Sequence, residues 1–165
     1  MPALSTGTSA PDFSLTAVDG SKFSLSKTLK RGPVLLAFFK ISCPVCQFTF
    51  PYIEKVYQFF RERGVCIVGV SQNNKKDTQA FLKEFGVTFP VVLDDLESYP
   101  VSNAYELTNV PTLFYVASDG EIEISSVGWN RRDIEEINQR LAANFAIPEP
   151  QLFRAGENIP EHRPG

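Results

Sequence analysis

The chain has few cysteines, one histidine and little excess charge, and each shortage disfavours a class of function. It contains three cysteines and one histidine among 165 residues. A zinc site usually needs about four nitrogen or sulfur ligands, so the composition disfavours a structural zinc protein. Three cysteines leave one unpaired, which argues against a disulfide framework. The net charge of −3 provides no basic surface for a nucleic acid partner.

Long apolar runs are also missing. No stretch approaches the ~18 apolar residues that a membrane-spanning helix requires, so we expect no membrane span. The opening MPALSTGTSAPDF has neither the basic segment nor the apolar segment of a signal peptide. We therefore expect a cytoplasmic protein, or a periplasmic one if the sequence was trimmed.

The apolar pattern that is present predicts a mixed α/β domain. Residues 33–39 and 65–70 are short, continuous apolar runs, typical of strands buried on both faces of a parallel sheet. A segment with helical spacing follows each run. The first ends at Gly64, and the second covers residues 77–85, with Asp77 as its expected cap.

The remaining segments complete a central sheet with helices on both faces. Residues 13–25 and 112–127 alternate apolar and polar side chains around turns, so each predicts a β-hairpin. Between them we expect a short strand at 89–93 and a short helix at 103–107. Asn130 is the expected cap of a last helix. This order of elements indicates a mixed sheet covered by helices on both sides.

The end of the chain differs from the rest in composition. Residues 148–165 contain four prolines, which prevent regular structure. We therefore predict one domain over residues 1–147, followed by a proline-rich C-terminal arm that is extended or disordered.

Cys43 and Cys46 lie in the stretch KISCPVCQ, between the first buried strand and the helix after it. Binding sites of open sheets lie at such junctions. Pro44 suits the first helical position and places Cys43 at the N-cap, where free amides and the helix dipole stabilise a thiolate. Cys46 lies one turn further on and is more buried. The asymmetry predicts that Cys43 attacks a disulfide and that Cys46 resolves the mixed intermediate.

Several segments resemble a known family. CPVCQFTFP resembles the active-site helix of thioredoxins. NVPTLFYVASDGEIEISSVGWN, residues 109–130, resembles their cis-proline segment, with Pro111 at the matching position. APDFSLTAVDGSKFSL, FPVVLDD and an inserted strand–helix before Pro111 resemble the redoxin branch, which includes TlpA/ResA-type thiol-disulfide oxidoreductases and AhpC/TSA peroxiredoxins. The resemblance covers roughly residues 10–145 and implies a thioredoxin-like fold with an N-terminal hairpin.

The resemblance also implies a site and a reaction. In the family, the residue before the cis-proline presents backbone groups to an extended substrate beside the reactive sulfur. This role falls on Val110 and Pro111, followed by Thr112. The implied activity is thiol-disulfide oxidoreduction, with Cys43 and Cys46 as the redox-active disulfide. Its partners are protein disulfides or dithiols, and no cofactor is implied.

The chain departs from the thioredoxin pattern near the cysteines. Ser42 replaces the usual Trp, and Ala37 stands where thioredoxins have a buried carboxylate, so the proton acceptor for the second thiol is unassigned. Lys40 and Trp129 are candidate modulators. The charge of Lys40 stabilises the thiolate if the side chain turns toward the loop, and Trp129 follows the second hairpin. A solvated lysine and a core tryptophan are the plainer interpretations.

The sequence leaves three alternatives to a dithiol oxidoreductase. The first is a peroxiredoxin with Cys46 as the peroxidatic thiol. In that family a Thr or Ser three residues earlier orients the peroxide, and a proline stands before it. Here Cys43 and Phe39 occupy those two positions, so the orienting hydroxyl is missing. A metal-binding redoxin lacks ligands, since His162 is the only histidine and lies in the arm. A redox-inert interaction module is disfavoured because both thiols are present.

Overall fold

The computed structural model describes residues 3–165. Its strands are β1 (Ser14–Thr16), β2 (Lys22–Ser24), β3 (Val34–Phe39), β4 (Cys66–Ser71), β5 (Val91–Leu93), β6 (Thr112–Val116), β7 (Ile122–Val127), β8 (Trp129–Asn130) and β9 (His162–Arg163). Its helices are α1 (Leu25–Leu29), α2 (Pro44–Phe60), α3 (Lys75–Glu84), α4 (Pro100–Ala104) and α5 (Arg131–Asn144). A 3₁₀ turn, Arg61–Arg63, follows α2 and ends at Gly64, as expected.

The central sheet is mixed, as the sequence predicts. It has five strands in the order β5–β4–β3–β6–β7. Strands β3, β4 and β5 are parallel, whereas β6 runs antiparallel to both β3 and β7. The hairpins β1–β2 and β6–β7 form as expected. Strand β3 is buried at every position because it has neighbours on both edges and layers on both faces, which explains its continuous apolar pattern.

Two apolar cores lie on opposite faces of the sheet. Side chains alternate along β3, so Leu35 and Phe39 join the core that α2 and α5 cover. Leu36 and Phe38 join the other core, which contains residues of α1 and α4. The predicted placement of helices on both faces is therefore confirmed. Among residues 3–165, no helix is both long enough and apolar enough to cross a membrane.

Helix α3 begins two residues earlier than predicted, and its cap is Asn74 rather than Asp77. The Asn74 side chain accepts the Asp77 amide hydrogen at 2.8 Å. Asn74 has the extended backbone of an N-cap residue, and its side-chain oxygen satisfies an otherwise free amide. Asp77 instead lies in the first turn, where its charge favours the positive end of the helix dipole.

Helix α4 also begins earlier than the predicted helix at 103–107. Pro100 opens the helix, a position where proline loses no hydrogen bond. The buried Asp94 carboxylate accepts the backbone amides of Val101 and Ser102 at 3.2 and 2.8 Å. The start of α4 is thus set by a side chain outside it, which the local pattern did not indicate.

Asn130 occupies the N-cap position of α5, but its side chain does not cap the helix through any amide of residues 3–165. Asn130 lies in β8, and the next amide, that of Arg131, donates to the carbonyl oxygen of Glu161 at 2.9 Å. The helix itself is confirmed. The expected capping by the side chain is wrong, because the C-terminal arm supplies an acceptor to the first turn.

The C-terminal arm lies extended on the core that α2 and α5 cover. Its apolar side chains Leu152, Phe153 and Ile159 are buried there. The hydroxyl of Tyr52 on α2 donates to Glu157 of the arm at 2.7 Å. The arm turns at residues 155–156 and then forms strand β9, which pairs with β8, so the prediction that its prolines prevent regular structure is wrong for residues 162–163. The division of the chain at residue 147 stays a prediction.

Candidate functional site

Cys43 is the N-cap residue of α2, as the sequence predicts. Its Sγ accepts the amide hydrogen of Cys46 at 3.1 Å, and Pro44 is the first helical residue. A sulfur atom therefore makes the bond that an N-cap oxygen usually makes. The Cys43 sulfur therefore faces the amide end of α2. The side chain is half-buried, so it is accessible to a substrate.

Cys46 lies beneath Cys43 and has no exposed surface. Burial raises the pKa of the Cys46 thiol far above its ordinary value, and its hydrogen bond with Cys43 raises it further. The positive charge of Lys40 lowers the pKa of Cys46, but by less than burial raises it. The two thiols thus have the predicted asymmetry, with an accessible first sulfur and a shielded second one.

The candidate substrate-binding residues lie beside the first sulfur. The peptide bond between Val110 and Pro111 is cis. The Cys43 thiol donates a hydrogen bond to the Val110 carbonyl oxygen at 3.4 Å. Thr112 is buried, and its hydroxyl donates to the Asn109 carbonyl oxygen at 2.7 Å, which fixes the end of the loop. The fold therefore brings these residues together, and their roles stay predictions.

Lys40 is exposed and lies at the rim of the site. It lines an open, largely polar pocket of about 270 Å³, together with Gln72, Ser102, Asn109 and Val110. Because Val110 also contacts the Cys43 thiol, this pocket adjoins the reactive sulfur. The proposed role of Lys40 as a modulator stays a prediction.

Trp129 is a core residue that anchors the C-terminal arm. It is 1% exposed, and its ring packs edge-on against Phe48 with centroids 4.9 Å apart. Its indole Nε1 donates to the Pro160 carbonyl oxygen at 2.7 Å. Trp129 thus contacts Phe48 of α2 and the arm, and its proposed role as a modulator stays a prediction.

Among residues 3–165, neither Ala37 nor the buried carboxylates of Glu54 and Asp94 can serve as a free proton acceptor for Cys46. Ala37 is buried in β3 and has no titratable side chain. The buried carboxylates of Glu54 and Asp94 are occupied elsewhere, accepting hydrogen bonds from Thr88 and Ser102 respectively. Within residues 3–165, no group of three or more His, Cys, Asp or Glu side chains is arranged to hold a metal ion.

Sequence reasoning missed one part of the site, the end of the C-terminal arm. The Asn109 side-chain amide donates to the Gly165 carbonyl oxygen at 3.1 Å. Gly165 also lies directly against the carbonyl group of Val110. The prolines of the arm predicted an irregular course, but nothing in the sequence indicated that Gly165 would lie beside Asn109 and Val110.

Comparison with known proteins identifies the family of this chain. Residues 6–125 match the AhpC/TSA family. The chain belongs to the AhpC/TSA family. The resemblance to redoxins noted from the sequence is therefore confirmed.

This AhpC/TSA protein is similar to thiol-disulfide oxidoreductases in sequence and structure. It is 34% identical over 135 residues to the thiol-disulfide oxidoreductase ResA of Geobacillus kaustophilus, covering 81% of this chain and 76% of that one. The thioredoxin domain of a thiol-disulfide oxidoreductase from Bacteroides vulgatus superimposes with a TM-score of 0.74 at 25% identity, covering 84% and 98% of the two chains. A thioredoxin-family thiol:disulfide interchange protein from Chlorobium tepidum gives a TM-score of 0.69 at 27% identity, covering 84% and 99%.

The raised pKa of Cys46 predicts a loss of stability of this AhpC/TSA protein at alkaline pH. In the unfolded chain, Cys46 ionises above pH ~8.5, whereas the folded protein holds the proton to higher pH. The unfolded state then binds fewer protons, so the free energy of unfolding falls as pH rises, by up to about 1.4 kcal/mol per pH unit. We expect Cys46→Ala to make this fall less steep between about pH 8.5 and 10. Denaturant unfolding of reduced protein at several pH values measures the slopes.

Cys66→Ala is the matched control for that experiment. Burial raises the pKa of Cys66 too, but its side chain is only half-buried, so its removal should flatten the slope less. Equal slopes for the wild-type protein and Cys46→Ala would contradict the prediction.

Proposed function

We propose that this protein is a thiol-disulfide oxidoreductase that reduces or exchanges disulfides in protein substrates. One observation carries the proposal. The accessible sulfur of Cys43 sits at a helix N-terminus, bonded to the Cys46 amide and to the Val110 carbonyl oxygen, with the Cys46 thiol buried behind it. This arrangement supports the proposed roles of Cys43 as the nucleophile, Cys46 as the resolving thiol and Val110 as a backbone site for an extended substrate.

The reaction proceeds in two exchange steps. The Cys43 thiolate attacks one sulfur of the substrate disulfide, a mixed disulfide forms, and the other substrate sulfur leaves as a thiolate that takes up a proton. Cys46 then loses its proton and attacks Cys43, which releases the second substrate thiol and closes the Cys43–Cys46 disulfide. Two electrons have passed from the protein to the substrate, and a second dithiol protein restores the reduced pair.

The difference between the two thiols sets the order of the steps. A thiolate is the nucleophile, and Cys43 is the thiol that is both accessible and hydrogen-bonded to a helix amide. Burial raises the pKa of Cys46 and keeps it protonated, so it does not compete for the first attack. The same burial counts against a peroxidase that uses Cys46, because peroxide must reach a thiolate there.

The relatives support the proposed activity. The ResA protein and the two structural neighbours are thiol-disulfide oxidoreductases or interchange proteins by name. Protein thiols are accordingly the substrates that we propose here. The cytoplasmic location inferred from the start of the sequence stays a prediction.

Equilibration in defined mixtures of reduced and oxidised glutathione tests the proposal. After acid quenching and alkylation, mass spectrometry should show that Cys43 and Cys46 interconvert between two free thiols and one internal disulfide. We expect a midpoint between about −270 and −120 mV, the range of such dithiols. The variant Cys66→Ala should give the same curve, since Cys66 lies in β4. Glutathione adducts without an internal disulfide would refute the proposal.

A further inference from the structure

The last residues of the chain form a strand along the edge of the active site. We call residues 161–165 the C-terminal tail. Strand β9 of the tail pairs antiparallel with β8, with Arg163 opposite Trp129 and His162 opposite Asn130. The tail is therefore an extended polypeptide that is hydrogen-bonded to the body of the protein through its backbone.

The tip of the tail reaches the carbonyl group that the reactive sulfur uses. Gly165 lies so close to the Val110 carbonyl oxygen that a Cβ atom at Gly165 would clash with it. The same oxygen accepts the hydrogen bond of the Cys43 thiol at 3.4 Å. Asn109 is the residue before Val110, and its side-chain amide donates to the Gly165 carbonyl oxygen at 3.1 Å. Gly165 thus lies at the backbone where an extended substrate is expected to bind.

Gly128 lies between the cis-proline segment and the tail and contacts both. Its amide donates to the Pro111 carbonyl oxygen at 2.7 Å. Its φ of +77° favours glycine, and a Cβ atom there would lie 2.5 Å from the Arg163 carbonyl oxygen. The absence of a side chain lets the tail approach this closely. Residues 109–111 and 128–130 therefore form one continuous surface under the tail, which we call the docking edge.

The tail is held more weakly than the part of the arm before it. Ile159 is buried in the core, and the Pro160 carbonyl group accepts the Trp129 indole hydrogen. Beyond that point, the Glu161 side chain is largely exposed and makes a 3.8 Å ion pair with Arg131, which contributes little. Arg163 lies over the Phe48 ring at 5.0 Å. The Glu161 carbonyl oxygen also accepts the Arg131 amide hydrogen at 2.9 Å, so departure of the tail exposes that amide to water. The buried apolar side chains of the arm end at Ile159, so the core stays covered when the tail leaves.

We propose that the C-terminal tail is an internal occupant of the docking edge, and that a protein substrate binds there by displacing it. The displacing segment is an extended polypeptide next to the substrate disulfide, and it pairs with Trp129 and Asn130 as the tail does. The residue that it places over Val110 is small, as Gly165 is. The proposal rests on the proposed function, because it concerns access of substrate disulfides to Cys43.

Two tail variants and one control test the proposal. One variant lacks residues 161–165, and the other, Gly165→Val, keeps the tail but places a side chain against Val110. Arg154→Ala is the control, since it removes an exposed arginine from the arm outside the tail. The rate of oxidation of the reduced protein is measured with insulin, a protein disulfide substrate, and with cystamine, a small disulfide that does not need the docking edge.

We expect the deletion to raise the rate with insulin and to leave the rate with cystamine unchanged. If the tail covers the edge about 90% of the time, the apparent affinity for insulin is reduced about tenfold, and the deletion restores it. Gly165→Val should raise the insulin rate by a smaller factor, and Arg154→Ala should leave it unchanged. A peptide with the sequence NIPEHRPG, added to the deletion variant, should lower the insulin rate again.

The two substrates separate failure of this proposal from failure of the proposed function. An insulin rate that is unchanged or lower in both tail variants, with an intact cystamine rate, overturns the role of the tail alone. A wild-type protein that does not react with cystamine through Cys43 overturns the proposed function. Circular dichroism of each variant verifies that it is folded, and Gly165→Val keeps the test decisive if the deletion variant is not.

Discussion

Replacing Cys43 with serine should abolish disulfide exchange, whereas replacing Cys46 with serine should leave the first attack intact and trap its product. Cys43 is the accessible sulfur, and a hydroxyl does not form a stable anion at neutral pH. We expect a loss of turnover on the order of 10³-fold or more for either variant, because the residues act as a unit. The variants differ in what accumulates, and that difference assigns the roles.

Mass spectrometry under non-reducing conditions reads out the difference. With oxidised glutathione, Cys46→Ser should accumulate one mixed disulfide at Cys43, because the resolving thiol is missing. Cys43→Ser should form no adduct at Cys46, which is completely buried. The control Cys66→Ser should behave as the wild-type protein. Fast reaction of Cys43→Ser with hydrogen peroxide at Cys46 would instead identify a peroxidase.

Replacing Trp129 with alanine should cause the largest loss of stability among single changes near the site. The side chain is almost completely buried and packs against Phe48, Tyr52 and Phe153, which belong to α2 and the arm. Removing a buried aromatic ring costs about 3–5 kcal/mol. Since domains of this size are stable by about 5–15 kcal/mol, this loss is a large fraction of the total free energy of unfolding. Denaturant unfolding of the reduced protein measures the change.

Trp129→Phe is the matched control. It retains an aromatic ring but removes the hydrogen bond from Nε1 to Pro160, so it should lose far less, with about 1 kcal/mol from the bond itself. Proteolysis should also cut the arm of Trp129→Ala first, because the indole no longer holds it. If Trp129→Ala is destabilised by less than about 1 kcal/mol, the arm does not pack on Trp129 in solution.

Local patterns were sufficient for much of the fold and for the reactive pair. The continuous apolar run that became β3 reflects burial on both faces, and Pro44 after Cys43 reflects helix entry, so both could be located from neighbouring residues alone. Helices α3 and α4 begin at earlier residues than the sequence predicts. The first residue of α4 depends on the Asp94 carboxylate, which lies outside the helix and accepts amides of its first turn. The spacing of apolar residues within a segment does not reveal a hydrogen-bond partner outside it.

The sequence by itself determined which sulfur lies at a helix N-terminus, because that position depends on the residues next to it. Only the tertiary structure decided what lies opposite that sulfur. Val110 is 67 positions away in the chain, and it is brought to Cys43 because β3 and β6 are neighbours in the sheet. Gly165 reaches the same carbonyl group because buried residues of the arm fix its course. Contacts between distant segments depend on the packing of the whole chain, and no local pattern encodes them.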